Sequence, residues 1–302
     1  MNSVNKVGLV GLGAMGQGVA KNLLSKGYEV VGFDIRSEAL KLFVEKGGRA
    51  AECLSGLGGE CNTVISFVVN DEQTEQLLFD KDGLLSGLRA GSVLIACSTM
   101  APAYVMELAS RLKTREIELI DAPVTGGAVG ADNGTLTVMA GGEKKTFEQA
   151  RPILEAFGSR VFYLGEAGAG SRMKVVNQLL CGVHLAAAGE ALAMAQRQGL
   201  PMDATFEILA GGAAGSWMFK DRGPRMIAED FSIARSTIDI FVKDLLLVSD
   251  AARADRYVAP LASTALLAFL SMSGRGDGKL DDAAIVRYFK DAFPRSSKSA
   301  AA

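Results

Sequence analysis

Near the start of the chain, Gly11-Leu12-Gly13-Ala14-Met15-Gly16 follows an apolar β-like run at 7–10 and opens a helical pattern at 17–26 that Gly27 closes. Three glycines at this spacing, between a strand and a helix, restrict the fold more than any other feature. The first permits a tight turn, the second lets a bound group approach the backbone, and the third lets helix pack on strand. The helix N-terminus beyond them offers unpaired N–H groups and positive partial charge, which suits a pyrophosphate. A second β-like run, 29–33, ends at Asp34, 18 residues after Gly16. A carboxylate there accepts hydrogen bonds from ribose hydroxyls and repels a 2′-phosphate, which favours NAD over NADP. Gly11, Leu12, Gly13, Ala14, Met15, Gly16 and Asp34 are therefore the expected cofactor contacts. Arg36 is read as a solvated charge at a helix start.

The rest of the first half alternates in the same way. Residues 37–45 read as a helix with Ser37 as N-cap. Residues 63–69 and 92–96 are β-branched and apolar, and 117–121, 135–140 and 160–163 extend the series. Such alternation implies βαβ units and a parallel sheet. Near Gly165 the pattern changes. Residues 171–198 are Ala-rich, helical and free of proline, a rod of roughly 40 Å at 1.5 Å per residue. Further helical patterns cover 203–209, 237–254, 258–273 and 281–289, with almost no strand signal. The expected fold is α/β: a Rossmann-type doubly wound sheet over 1–165, joined by a long helix to an all-α domain over 166–295. The small polar tail, 296–302, is expected to be disordered. A ligand is expected in the cleft between the domains.

Charge and cysteine usage exclude several functions. A net charge of −2 over 302 residues provides no bulk basic field for nucleic acid or an anionic membrane surface. The apolar stretches read as shorter than the ~18–20 residues of a membrane span. Glycines interrupt the N-terminal apolar run, so no signal peptide is expected. Cys53, Cys61, Cys97 and Cys181 lack CxxC spacing, which argues against zinc and against a disulfide framework. They read as reduced, buried small hydrophobes of a cytoplasmic protein.

Four separated motifs resemble the β-hydroxyacid dehydrogenase family, which includes 3-hydroxyisobutyrate dehydrogenase and tartronate semialdehyde reductase. They are the Gly11 turn continuing through Ala20-Lys21-Asn22-Leu23, then Asp121-Ala122-Pro123-Val124-Thr125-Gly126-Gly127, then Gly168-Ala169-Gly170 with Lys174 and Asn177-Gln178, and finally Lys243-Asp244-Leu245. The resemblance covers nearly the whole chain. It implies that Lys174 is catalytic, that Asn177 orients the substrate, that Thr125, Gly126 and Gly127 bind it, and that Val68, Val69, Thr99 and Lys243 touch the cofactor. The family usually has serine where this chain has Thr125; the hydroxyl is kept and the extra methyl narrows the pocket. Two further segments, Asn177 to His184 and Ser216-Trp217-Met218-Phe219, resemble a branch acting on a small sugar acid. A homodimer or homotetramer is also implied, and no metal.

The residue chemistry agrees. Lys174 and Asn177 lie three apart on the long helix and share a face. A lysine can donate a proton to a carbonyl or, when neutral, remove one from a hydroxyl. Residues 125–127 offer a hydroxyl and adaptable backbone N–H groups to a carboxylate. Lys243 is read as a cation near Lys174. His184 reads as a core or pocket-wall histidine, and Trp217-Met218-Phe219 as core, with Lys220 or Arg222 as an alternative reach toward substrate. The expected reaction is NAD-dependent oxidation of a β-hydroxyl. The alternatives are an NADPH-dependent semialdehyde reductase, of the tartronate or succinic semialdehyde type, and a non-catalytic NAD-binding module. The last has no need of Lys174 with Asn177.

Overall fold

The computed structural model describes residues 6–292; the tail at 296–302 lies outside them. The boundary between two compact units falls between Lys174 and Val175.

The first unit runs β1 (Lys6–Val10), α1 (Ala14–Ser25), β2 (Glu29–Phe33), α2 (Ser37–Glu45), β3 (Arg49–Ala50), α3 (Leu54–Glu60), β4 (Thr63–Ser66) and α4 (Asp71–Phe79). It continues with β5 (Val93–Ala96), α5 (Pro102–Lys113), β6 (Glu118–Asp121), β7 (Val124–Thr125), α6 (Gly127–Asn133), β8 (Leu136–Gly142), α7 (Lys144–Phe157) and β9 (Gly158–Tyr163). The strands order as β3-β2-β1-β4-β5-β6-β8-β7, with β9 on β8. From β3 to β6 every pair is parallel. Direction reverses at β8, antiparallel to β6. Strand order switches at β1, whose neighbours are β2 and β4. In open α/β sheets ligands bind outside the carboxyl ends of the strands at such a switch, and that is where Gly11 lies.

Adjacent strand residues serve opposite faces. Leu9, Ile65, Ile95 and Ile120 join one core with Leu23 and Phe43. Val64, Leu94 and Leu119 join another with Leu57, Leu78 and Leu108. Helices on both faces explain why these strands read as continuous apolar runs rather than as alternation.

The second unit is built from α8 (Ala169–Arg197), which crosses the boundary, and from α9 (Met202–Gly211), α10 (Trp217–Ala228), α11 (Ile238–Ala254), α12 (Pro260–Met272) and α13 (Ile285–Ala292). Among its described residues the only β-pairing is an isolated bridge between Thr237 and Asp281. Leu185, Leu192, Phe241, Leu245, Phe269 and Ile285 form its core.

Several expectations need correction. The strand at 63–69 ends at Ser66: Phe67 N still bonds Val10 O, but the pairing with β1 and β5 goes no further, and Val68 and Val69 lie in the loop. Ser37 is the first helical residue of α2 rather than its N-cap; Arg36 holds that position and no side chain caps. Cys53 is exposed rather than buried, and accepts from Gly56 N as the N-cap of α3. With 29 residues, α8 is long and apolar enough to cross a membrane by length and composition. Here Leu185, Ala186, Ala188 and Leu192 turn one side of it into the core of the second unit. Helix α10 has no clear signature in the sequence, because Gly223 and Pro224 interrupt its pattern. Gly223 is needed for close packing, since a Cβ there would lie 2.8 Å from the Phe206 ring.

Candidate active site

The Gly11 turn shows which glycines the protein itself requires. Gly11 has φ +87°, and a Cβ there would lie 2.6 Å from Phe67 O. A Cβ on Gly16 would lie 1.9 Å from Gly11 O. Gly13 differs: its φ is −69°, and a Cβ would meet only the tip of Arg36, Nη2, at 3.5 Å. Among the described residues nothing demands glycine at 13, whereas a pyrophosphate lying against the N-terminus of α1 does. The residues present therefore fit a dinucleotide.

Asp34 stands at the end of β2 and is tied to this loop. Leu12 N donates to its Oδ2 at 2.6 Å, and Arg36 donates from its backbone at 2.9 Å and from Nη2 at 3.0 Å. Burial pushes the Asp34 carboxyl upward, but the hydrogen bonds from Arg36 and Leu12 outweigh it and hold the group below its ordinary value. Arg36 is thus not a free solvated charge; its side chain is 58% exposed yet ion-paired with Asp34. Val68 and Val69 lie in the loop after β4, where Val69 N donates to Gln73 Oε1 at 2.9 Å. Thr99 lies in the corresponding loop after β5. Both loops leave the carboxyl edge of the sheet, as the Gly11 turn does.

A second cluster lies after β6. Gly126 and Gly127 have φ of +125° and +62°, backbone that a side chain would strain. Lys174 is buried, and its Nζ donates to Val124 O at 2.8 Å. The head group of Lys174 is thereby held beside Thr125. Asp121, fully buried at the end of β6, makes this possible: its Oδ2 accepts from Ser171 N at 2.8 Å and its Oδ1 from Ser171 Oγ at 2.7 Å. Burial drives the Asp121 carboxyl up to about 6, against the Ser171 hydrogen bonds that lower it. Gly170 lets the helix start come this close, since a Cβ there would lie 2.3 Å from Met139 O. Asp121 therefore latches the first turn of α8, and Lys174 follows three residues on.

In the second unit, Asn177 is partly buried, and its Nδ2 donates to Gln178 Oε1 at 2.8 Å and to Cys181 Sγ at 3.3 Å. Gln178 in turn donates to the buried Asp244, which pairs with Lys243 at 2.8 Å. His184 is partly buried. Met218 and Phe219 are core, while Trp217 is 53% exposed. Arg222 is not a substrate-reaching cation: it is buried and paired with Asp282 and Asp221. Sequence reasoning gave no task to Asp121, Gln178 or Asp244. The available signal was their place inside the motifs of Thr125, Asn177 and Lys243.

The first unit thus combines a dinucleotide-binding turn with a buried amine held next to a hydroxyl and two glycines. That set can bind a carboxylate and move a proton. Two sequence models match consecutive parts of the chain: the NAD binding domain of 6-phosphogluconate dehydrogenase over residues 6–165, and the NAD-binding domain of NADP-dependent 3-hydroxyisobutyrate dehydrogenase over 168–289. L-threonate dehydrogenase of Cupriavidus necator is 40% identical over 284 residues, 94% of this chain and 95% of the relative. Its counterpart in Escherichia coli is 40% identical over 295 residues, 97% of each. The crystal structure of a 3-hydroxyisobutyrate dehydrogenase from Salmonella typhimurium matches with a TM-score of 0.89 at 41% identity, covering 94% of this chain and 99% of that one.

Proposed function

The chain belongs to the 3-hydroxyisobutyrate dehydrogenase-like family of NAD-dependent β-hydroxyacid dehydrogenases, and from that membership we propose that it oxidises the β-hydroxyl of L-threonate. The observation that carries the chemistry is the hydrogen bond from Lys174 Nζ to Val124 O. It holds the amine against the segment that offers Thr125 Oγ1 and the N–H groups of Gly126 and Gly127 to a carboxylate. In the oxidation Lys174 takes the hydroxyl proton as general base, and in the reverse reaction it returns it to the carbonyl oxygen. Asn177, one helical turn on, orients the substrate. Gly11 to Gly16, Asp34, Val68, Val69, Thr99 and Lys243 hold the cofactor. When bound, NAD supplies the acceptor for the hydride.

Asp34 supports NAD as that cofactor, because a carboxylate opposes a 2′-phosphate at the same position. Arg36 beside it favours a second reading, reduction of a semialdehyde with NADPH, in which Arg36 would leave Asp34 for the phosphate. Residues 1–165 are assigned to the cofactor and 166–295 to substrate binding and self-association. Exposed Leu261 and Leu267 on α12 support a homodimer or homotetramer, and free cysteines support a reducing, cytoplasmic setting.

The test is nicotinamide reduction by the purified protein with NAD and NADP separately, against L-threonate, D-threonate, D-erythronate, D-glycerate and 3-hydroxyisobutyrate. L-threonate with NAD is expected to give the highest kcat/KM. Faster NADPH oxidation with a semialdehyde would replace this reading with the reductase. NAD binding without turnover of any acid would reduce the protein to a binding module.

A further inference from the structure

An asparagine amide can turn either of two opposite atoms to a ligand: an NH2 that donates, or a carbonyl that accepts. Hydrogen bonds inside the second unit decide which one Asn177 offers. Asp244 is buried and its Oδ1 pairs with Lys243 Nζ at 2.8 Å; a carboxylate so paired offers only acceptors. Its Oδ2 accordingly takes the NH2 of Gln178. That points Gln178 Oε1 the other way, where it accepts from Asn177 Nδ2 at 2.8 Å. The other Nδ2 hydrogen is directed at Cys181 Sγ, 3.3 Å away. Both amide hydrogens of Asn177 are engaged within the unit, and Oδ1 remains for a ligand. The opposite arrangement would set Gln178 Oε1 against Asp244 Oδ2, two buried acceptors without a hydrogen between them, which is costly.

Resting on the function proposed above, we propose that Gln178 and Asp244 are positioning residues that fix Asn177 as a hydrogen-bond acceptor toward the substrate, for a hydroxyl other than the one that gives its proton to Lys174. A sugar acid such as L-threonate carries such a hydroxyl beside the reacting one, and an acceptor held in one orientation fixes its position. Asp244 sets the direction of the whole series, and Lys243 and Asn177 lie at its two ends.

The test compares Asp244→Asn with the double variant Gln178→Glu/Asp244→Asn. In Asp244→Asn the new amide donates to Gln178, Gln178 turns over, and Asn177 follows, so its NH2 leaves the interior. In the double variant the introduced carboxylate accepts from Asn177 on one side and from the introduced amide on the other, and Asn177 returns to its original orientation. Two readouts are taken on the whole protein. The first is exchange of the Asn177 side-chain NH2 with solvent, followed by NMR on protein labelled with 15N-asparagine. It is expected to be slow in the unmodified protein, at least about tenfold faster in Asp244→Asn, and slow again in the double variant. The second is kcat and KM for the hydroxy acid: kcat is expected to fall on the order of 10- to 100-fold in Asp244→Asn and to recover to within about threefold in the double variant. Gln178→Met, which keeps the volume and removes both polar ends, is expected to accelerate the same exchange and guards against misfolding of the first variant.

Slow exchange in both Asp244→Asn and Gln178→Met would overturn the proposal. So would a double variant that melts like the unmodified protein yet exchanges as fast as the single one. The exchange readout needs no turnover. Failure of every hydroxy acid to react would therefore remove the functional reading while exchange still decides the orientation of Asn177.

Discussion

Lys174 Nζ donates to Val124 O at 2.8 Å, joining two residues 50 apart in sequence. The bond ties the first turns of α8 to the strand that carries Thr125. It also removes the most common account of a helical lysine, a solvated head group, because Lys174 is 8% exposed. Lys174→Ala is expected to lower kcat by about 10²- to 10⁴-fold, the range for loss of a general acid or base. NAD affinity should stay within about twofold, since Lys174 has no part in the Gly11 turn. Steady-state kinetics with a fluorescence titration of NAD checks both. Turnover retained in a folded variant would remove Lys174 from the mechanism.

Gly13 and Gly16 are expected to separate binding from folding. A methyl at 16 would lie 1.9 Å from Gly11 O, so Gly16→Ala should cost at least about 1–3 kcal/mol of stability. A methyl at 13 meets only the flexible end of Arg36. Gly13→Ala should melt like the unmodified protein and bind NAD about tenfold more weakly, the effect of roughly 1.4 kcal/mol of overlap with the pyrophosphate. Melting curves with and without NAD distinguish the two; equal loss of stability in both variants would contradict this division.

Asp121 carries a distinct pH signature. Burial raises it from 3.8 to about 6. Between those values the folded state binds more protons than the unfolded state, so this group's contribution to stability falls as pH rises through the window. The full effect is on the order of 3 kcal/mol. Asp121→Asn removes it. The stability of the variant relative to the unmodified protein should rise from about pH 4 to about pH 6 and level off above. Urea unfolding across that range measures the difference. An ionised carboxyl that costs stability at neutral pH still holds Ser171, and kcat of the variant is expected to fall because Lys174 loses its fixed starting turn.

Arg222 and Asp282 pair at 2.9 Å in the interior of the second unit. Arg222→Met removes that partner from a buried carboxylate and should cost about 3–5 kcal/mol. Arg222→Met/Asp282→Asn should recover part of the loss. Unfolding midpoints decide this, and normal stability with a raised KM for substrate would instead place Arg222 at the ligand.

How much was legible in advance follows from the range of the forces involved. Strand β2 at 29–33 is legible to the residue, and helix α2 is legible apart from its cap, which falls on Arg36 rather than Ser37, because apolar periodicity and closing glycines are local signals. The end of β4 at Ser66 is not legible, since the apolar run continues to Val69 and only the extent of pairing with β1 and β5 sets where the strand stops. Helix α10 was hidden because Pro224 and Gly223 speak against a helix locally, and only packing on Phe206 accounts for the glycine.

The sequence by itself determined the dinucleotide turn, the alternating first unit, the helical second unit and the candidates Asp34, Thr125, Lys174 and Asn177. The turn, the alternation and Asp34 depend on residue type and short spacing, which the chain carries wherever it goes; Thr125, Lys174 and Asn177 were marked by their motifs' resemblance to the family. Tertiary structure alone decided which partner each polar group takes: Asp121 with Ser171, Gln178 with Asp244, and Arg222 with Asp282, the last two pairs more than 50 residues apart. A buried polar atom must find a complement or pay its desolvation, and which complement is within 3 Å is settled only once the cores have packed.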